Sequence, residues 1–314
     1  MKLALCLGLI CFIQRLNAWD ISGHMIVAQV AYSRLNTNAA AHVAQLASQV
    51  SYDDGHTVHH YNAVNVAGWA DDIKHSFTDP NKGHYKNWHF IDLGVPDSHL
   101  DLLTTPPSLT MTDGDIVSAL KKCVGVIQGQ ADSNIPDEAT ALALIMHLVG
   151  DIHQPLHCSA HYYAPGHPGN AHDLGGNAIG ILKFSDTYTN LHSFWDKAYK
   201  VKRSWLTRVI SSEKDLKTFS TTPNDPDVTT WAQAVINFAP AATVDLKPDF
   251  EAWAKETHAL GSSEAYGKLS GDIETSPRTL TASYVKNARK VAQTQICLAG
   301  FRLAELLNGL YPEH

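Results

Sequence analysis

Two histidines of this chain are each followed by an aspartate four residues later, a spacing that could build a metal site. The pairs are His147 with Asp151 and His192 with Asp196. On a helix, residues i and i+4 share a face, so each pair could present an imidazole nitrogen and a carboxylate oxygen to one ion. A buried His–Asp hydrogen bond would explain one pair equally well. The repeated spacing, and the total of 18 histidines in 314 residues, favour metal binding.

The first of these pairs lies in an otherwise apolar run. A carboxylate buried there without a partner would be costly, and a metal cation is the most effective partner for it. The run ends in His-Gln-Pro-Leu-His, which adds His153 and His157 to the candidate residues.

Two other segments place acids and a histidine beside aromatic residues. Gly-Trp-Ala-Asp-Asp contains Asp71, and Asn-Trp-His-Phe-Ile-Asp contains His89, Phe90 and Asp92. Each segment is a weak signal alone, because an aspartate such as Asp71 could instead cap a helix.

The first 18 residues are predicted to be a secretory signal. Lys2 precedes an apolar run at residues 3–13, and Ala18 supplies a small residue at the cleavage point. The run is too short to span a bilayer. Cleavage gives a mature domain of residues 19–314, secreted or periplasmic, in which Trp19 has a free amino group. That amine and the Trp19 carbonyl could chelate an ion near His24, although Trp19 could equally be an apolar anchor.

The composition is typical of a packed globular protein that lacks a basic surplus. Hydrophobic residues make up 44% of the chain and charged residues 18%. The formal net charge is −7, and loss of Lys2 and Arg15 with the signal takes it to −9. The chain therefore lacks the basic surplus that is typical of proteins that bind nucleic acid by phosphate charge alone. Cys123, Cys158 and Cys297 allow at most one internal disulfide, whose pairing the sequence leaves open.

Hydrophobic periodicity predicts one mostly helical domain, all-α in class, with long loops and at most a small β-hairpin. Ser22 could cap the first helix and Pro136 could open the third. Helices are predicted over residues 22–35, 113–126, 136–152, 228–238, 248–260 and 280–307. One weak strand signal covers residues 178–184, and long loops are predicted at 51–62, 76–88 and 159–177.

The order of these motifs resembles one family. After the signal come Trp19, Gly-His, Trp-Ala-Asp, His-Phe-Ile-Asp, His-x-x-x-Asp-x-His-Gln-Pro-Leu-His, Gly-Gly-Asn and Asn-Leu-His-Ser-x-Trp-Asp. This series is similar to that of the single-strand-specific type I (S1/P1) nucleases, which hold three zinc ions. The family is distantly related to zinc phospholipase C and shares its helical fold.

The resemblance implies three Zn²⁺ sites built from nine residues. The first zinc would be held by Asp71, His89, His147 and Asp151. The second would be held by His157, His192 and Asp196. The third would be held by the amine and carbonyl of Trp19, with His24 and Asp151. Asp151 would then bridge two ions, and His153 would have a structural role.

The resemblance also implies phosphodiester hydrolysis to 5′-phosphate products, together with 3′-nucleotidase activity. In the family mechanism, a hydroxide held between the first and third zinc ions attacks phosphorus, which makes Asp151 catalytic through its bridging role. Lys74 would steady the phosphate, and Asn177 would orient the substrate. A simple Gly-Gly-Asn turn is the alternative interpretation of Asn177.

Three residues are expected to recognise an unpaired base. Phe90 would stack on it, Asp92 would accept hydrogen bonds from it, and Leu174 would form the opposite apolar wall. Residues 158–174, which include His161, His167 and His172, form a longer loop than in the fungal members. This loop could narrow substrate choice, bind another ion or simply be solvated.

The expected substrates are single-stranded DNA and RNA and 3′-nucleotides, and the expected enzyme is a monomer without a membrane span. Preference between DNA and RNA is left open. Two other functions fit parts of the pattern: a zinc phospholipase C, and an exported zinc-binding protein without turnover. Members of the phospholipase family usually have Glu as the last ligand, where this chain has Asp196. Retention of Lys74 and Asn177 argues against mere zinc storage.

Overall fold

Helices dominate the computed structural model of the chain, which describes residues 19–76, 85–95, 114–163, 172–182, 190–200, 226–237, 245–269 and 277–313. The α-helices are α1 (Ile21–Tyr32), α2 (Thr37–Ala47), α3 (Trp69–Asp72), α4 (Ile116–Ile127), α5 (Glu138–Asp151), α6 (Leu191–Trp195), α7 (Pro226–Ile236), α8 (Phe250–Leu260) and α9 (Ala282–Leu310). This architecture confirms the prediction of a single mostly helical fold.

Short helical turns carry the chain between the longer helices. Turns of 3₁₀-helix are found at Asn65–Gly68, Ile73–His75, Lys86–His89, Pro155–His157 and Ala198–Lys200, and one π-helical turn, Gly261–Tyr266, extends α8. Several of them adjoin the predicted metal ligands.

The central helix is α5, which is apolar on all sides. Every residue from Ala141 to Asp151 is buried, as expected for a helix in the middle of a core rather than at its surface. α1, α2, α4 and α9 all pack against it, and α1 packs along α9. The predicted His147–Asp151 pair therefore lies at the C-terminal end of the most buried helix.

Carboxylates cap the N-termini of α1 and α5. Asp20 Oδ1 accepts a hydrogen bond from Gly23 N at 3.1 Å, so the predicted cap at Ser22 is wrong, since Ser22 lies inside α1. Asp137 caps α5 by accepting from Thr140 N at 2.7 Å, one residue after Pro136. A carboxylate suits both positions because it also interacts favourably with the positive end of the helix dipole.

α2 was not predicted, although its sequence carries the signal. Asn36 accepts a hydrogen bond from Ala39 N at 2.7 Å, which caps the helix. The buried residues follow a helical period: Ala39, Val43, Leu46 and Ala47.

The small amount of β-structure partly contradicts the sequence-based expectation. Within the described segments, β1 (Ser51–Asp53) and β2 (Val58–His60) form an antiparallel hairpin, in a region predicted to be loop. β3 (Gly94–Val95) pairs in parallel with β4 (Ala160–His161). Asp54 Oδ1 accepts from the N–H groups of His56 and Thr57, and this closes the hairpin turn. The described part of the predicted strand at 178–184 has only isolated bridges.

His153 has the structural role that was expected of it. Its Nδ1 donates to the Val149 carbonyl at 2.8 Å, and Arg302 donates to its Nε2 at 3.0 Å. Burial lowers the pKa of His153 to about 3, so the ring is neutral and joins α5 to α9.

The three cysteines in the described part of the chain are buried and unpaired. Cys123, Cys158 and Cys297 lie in the core as free thiols. Among the helices described, none is both long and apolar enough to cross a membrane.

The contact between α1 and α9 depends on a glycine. A Cβ at Gly300 would lie 2.5 Å from the Val30 side chain, so we expect Gly300→Ala to lower the free energy of unfolding by about 2 kcal/mol. Gly309→Ala on the same helix meets nothing within 4 Å and should raise it by about 0.5 kcal/mol. Urea unfolding of both variants measures the difference. Equal stabilities would contradict the close packing.

Candidate metal centre

The fold brings the nine predicted metal ligands into one buried region. α1, α3, α5 and α6, together with the 3₁₀ turns Lys86–His89 and Pro155–His157, supply seven of them. Asp196 directly follows α6, and Trp19 precedes α1 by two residues. None of the nine is more than 5% exposed, so water cannot solvate their charges and lone pairs. They are Trp19, His24, Asp71, His89, His147, Asp151, His157, His192 and Asp196.

The Asp151 carboxylate is at the centre of this region. Its Oδ1 lies 3.2 Å from His24 Nε2. Its Oδ2 lies 2.9 Å from His89 Nδ1 and 3.1 Å from His147 Nε2. The two oxygens thus face two different groups of imidazoles, which is the arrangement that a carboxylate bridging two cations requires.

Several imidazole nitrogens and carboxylate oxygens in this region are buried without a hydrogen-bond partner. They are both ring nitrogens of His24, Oδ2 of Asp71, Nε2 of His89 and Oδ1 of Asp151. Buried polar atoms are nearly always satisfied in folded proteins because leaving them unpaired is costly. Among them, Asp151 Oδ1 and His24 Nε2 lie 3.2 Å apart, and a cation bound between them would satisfy both.

Backbone carbonyls fix the tautomers of three histidines. Nδ1 of His147 is 2.7 Å from the Ala67 carbonyl, Nδ1 of His157 is 2.6 Å from the His89 carbonyl, and Nδ1 of His192 is 2.7 Å from the Gly175 carbonyl. A carbonyl only accepts, so each Nδ1 must carry the proton. Each Nε2 is therefore the unprotonated nitrogen of its ring, as in metal-bound histidines.

Two of these unprotonated nitrogens face each other. The Nε2 atoms of His157 and His192 are 3.1 Å apart, and Asp196 Oδ1 lies 3.7 Å from His192 Nε2. Neither Nε2 carries a proton, so the pair is not a hydrogen bond. Nitrogen ligands on one tetrahedral zinc lie about 3.3 Å apart, so this cluster fits a metal ion.

Three groups of ligand atoms are close enough to share a metal ion within the described residues. They are His24, Asp71 and His147; His89, His147 and Asp151; and His157, His192 and Asp196. The last matches the predicted second set. The first two are interlocked, because the rings of His24 and His147 stack with centroids 3.8 Å apart.

Trp19 is an apolar anchor, and that role is compatible with metal binding by its backbone. Its indole Nε1 donates to the Gly150 carbonyl at 2.9 Å. A Cβ at Gly150 would lie 2.7 Å from His24 Nδ1, so glycine is required for α1 to approach α5 this closely. The indole therefore fixes Trp19 beside His24.

Burial keeps two candidate ligands in the neutral form that binds metal. The pKa values of His89 and His157 fall to about 4, chiefly because burial disfavours the charged ring. Burial acts to raise the pKa of Asp71, but the Lys74 ammonium 2.6 Å away and the nearby histidines hold it well below its usual range.

Gln154 is a residue of this region that the sequence analysis missed. Its side-chain amide donates to Asp196 Oδ1 at 2.7 Å, and its Oε1 accepts from Leu156 N. Burial raises the pKa of Asp196, and the Gln154 hydrogen bond opposes that rise. The signal was present in His-Gln-Pro, where a buried amide lies between two histidines.

The four predicted substrate-binding residues lie in two segments. Phe90 and Asp92 follow the 3₁₀ turn Lys86–His89, and both are partly exposed. Leu174 is 41% exposed and Asn177 is partly exposed. Gly175, between them in the chain, accepts a hydrogen bond from His192 through its carbonyl. Asn177 Nδ2 donates to the Leu174 carbonyl at 2.8 Å, as expected if Asn177 stabilises a Gly-Gly-Asn turn. Its role in orienting the substrate stays a prediction.

The predicted long loop is only partly described. His161 is buried, His172 is partly buried, and His167 lies outside the described residues.

We expect Gln154→Ala to weaken metal binding by Asp196 and its neighbours about 10- to 100-fold, the usual effect of removing a group that orients a ligand. Gln154→Glu should weaken it too, because it keeps an acceptor for Leu156 N but loses the donor to Asp196. Zinc retained against a competing chelator measures the effect, with exposed Gln128→Ala as the control. Unchanged retention in both Gln154 variants would contradict this role.

Comparison with known proteins agrees with this geometry. The family model for S1/P1 nucleases matches residues 19–312. The chain is 26% identical to nuclease P1 of Penicillium citrinum over 305 residues, which cover 93% of this chain and 98% of that one. It is 26% identical to nuclease S1 of Aspergillus oryzae over 300 residues, covering 92% and 91%. It is 25% identical to endonuclease 1 of Arabidopsis thaliana over 325 residues, covering 99% and 94%. The chain belongs to the S1/P1 nuclease family, whose members are metal-dependent hydrolytic nucleases, as its motifs predict.

Proposed function

We propose that this protein is an exported, monomeric zinc endonuclease. It hydrolyses phosphodiester bonds of single-stranded DNA and RNA to 5′-phosphate products and removes phosphate from 3′-nucleotides. The observation that carries the proposal is the buried Asp151 carboxylate, with one oxygen facing His24 and the other facing His89 and His147.

The ligand sets of the proposal follow the predicted assignment. Asp71, His89, His147 and Asp151 hold one zinc ion, and His157, His192 and Asp196 hold another. The Trp19 amine and carbonyl, with His24 and Asp151, hold the third. Neutral imidazole and carboxylate oxygen suit zinc. Bound zinc supplies Lewis acidity and lowers the pKa of a water molecule towards neutrality.

Lys74 supplies the positive charge that a phosphate would meet first. Its ammonium lies 2.6 Å from Asp71 Oδ1, and its side chain is 12% exposed. The side chain is therefore held by a metal ligand while still reaching solvent. In this position it can donate hydrogen bonds to a phosphate oxygen in addition to Asp71.

Phe90 and Asp92 provide the basis for single-strand selectivity. The partly exposed Phe90 ring offers a face for stacking, which is tolerant of base identity. Asp92 lies two residues further on, and its side chain is 25% exposed. A base in a duplex would have to leave its stack to reach this site, so unpaired nucleotides are favoured.

Export is proposed from the signal at residues 1–18, with cleavage after Ala18. Support comes from Trp19, which is fully buried and hydrogen-bonded to Gly150. A mature chain beginning at this residue would carry a free amine beside this anchored indole.

The direct test uses mature protein with single-stranded DNA, RNA and a 3′-mononucleotide. We expect cleavage to 5′-phosphate ends, loss of activity with a zinc chelator, and recovery when zinc is returned. Zinc binding without hydrolysis of any of these substrates would contradict the proposal. Choline release from phosphatidylcholine in the same preparation would instead indicate a phospholipase C.

The Trp19 amine gives a second test. Two extra residues before Trp19 should remove one zinc ion per chain and most of the activity, because the amine becomes an amide that no longer coordinates. Zinc content and turnover are compared with a chain that begins at Trp19. Full activity and unchanged zinc content in the extended chain would contradict the proposed ligand.

A further inference from the structure

We infer that His172 is a specificity-determining residue of the proposed base site, and that it makes this site prefer guanine. The inference rests on the proposed function, because it assumes that Phe90, Asp92 and Leu174 receive a base. His172 belongs to the long loop that distinguishes this chain from the fungal pattern.

A hydrogen bond from the backbone fixes the His172 tautomer. Leu174 N donates to His172 Nδ1 at 3.2 Å. Nδ1 is therefore an acceptor and carries no proton, so the ring proton is on Nε2. Nε2 lies 3.7 Å from Asp92 Oδ2, and the imidazole thus turns its N–H side towards the Asp92 carboxylate.

Tyr162 holds the same ring in place. The Tyr162 and His172 rings are tilted by 36° with centroids 5.0 Å apart, and the two residues form a β-bridge. The Tyr162 hydroxyl donates to the Asp92 backbone carbonyl at 3.2 Å. His172 and Asp92 are therefore positioned relative to each other by a common neighbour.

The other side of His172 supports the proposed apolar wall. Leu174 has a φ of +58°, a left-handed conformation that is strained for a leucine. Its N–H is accepted by His172, and its carbonyl accepts from Asn177 Nδ2 at 2.8 Å. These bonds hold a strained backbone that keeps an apolar side chain 41% exposed. One imidazole thus accepts from the Leu174 N–H and faces the Asp92 carboxylate.

The preference for guanine follows from the hydrogen-bonding capacity of an ionised carboxylate. Such a group only accepts, and guanine is the base with two adjacent donors, N1–H and the N2 amino group, on its pairing edge. Adenine and cytosine place a ring acceptor beside their amino group, which the carboxylate would repel. Burial raises the pKa of Asp92, and His172 opposes part of that rise.

Three substitutions separate the two contacts of His172. His172→Asn keeps an acceptor near the Nδ1 position for Leu174 N but loses the group that faces Asp92. His172→Gln keeps a donor near the Nε2 position but loses the contact with Leu174. His172→Ala loses both. Exposed His56→Ala is the control.

The experiment measures the Kd of the zinc-loaded protein for the four ribonucleoside 5′-monophosphates, and kcat and KM for the 3′-monophosphates. We expect wild type to bind guanosine monophosphate about tenfold tighter than the others, the scale of one charge-assisted contact. His172→Asn should lose this tenfold preference for guanosine monophosphate, while its Kd values for the other three nucleotides change little. His172→Gln should raise the Kd for all four nucleotides by a similar factor and keep the preference for guanine. For the 3′-monophosphates, its KM should change more than its kcat.

No guanine preference in wild type, or the same change for all four bases in His172→Asn, would overturn the inference. The binding measurement separates it from the proposed function. Selective guanine binding without hydrolysis of any 3′-monophosphate would support the role of His172 and contradict the nuclease proposal. Hydrolysis of the 3′-monophosphates without base selectivity would support the nuclease proposal and contradict the role of His172.

Discussion

The structure depends on the burial of acceptor atoms that have no protein partner. Asp151 ends the most buried helix; its Oδ1 faces His24, and its Oδ2 faces His89 and His147. Around it, histidines point unprotonated nitrogens at the same region because backbone carbonyls occupy their other ring nitrogen. Such a cluster is destabilising when empty, since buried carboxylates and lone pairs lose their hydration. Binding of cations turns the same atoms into a source of stability, so folding and metal binding are coupled.

The rest of the fold brings these atoms together from distant parts of the chain. α5 supplies two ligands on one face and has no polar side to expose. α1 approaches it closely because Gly150 leaves room for His24, and the Trp19 indole closes the contact through the Gly150 carbonyl. The loop around Gly175 both orients His192 and displays Leu174. The Gly175 loop therefore positions a predicted metal ligand, His192, and a residue of the proposed base site, Leu174.

Much of this arrangement could be predicted because it follows from local spacing. The i, i+4 relation placed His147 and Asp151 on one helical face, and the family resemblance supplied the order of the remaining ligands. Contacts formed by tertiary packing could not be predicted in this way. Gln154 binds Asp196 across 42 residues, and the β1–β2 hairpin arises from an Asp54 turn in a segment whose histidines suggested only a loop. Nothing in the spacing indicated that His172 would lie between Asp92 and Leu174.

The central claim is that one carboxylate, Asp151, is shared by two cations. Native mass spectrometry of mature protein loaded with zinc tests this most directly, comparing wild type with Asp151→Asn. The account predicts three zinc ions in wild type and the loss of two in the variant, while His157, His192 and Asp196 keep theirs. Circular dichroism confirms that the variant remains helical. Three zinc ions in a folded Asp151→Asn protein would contradict the claim.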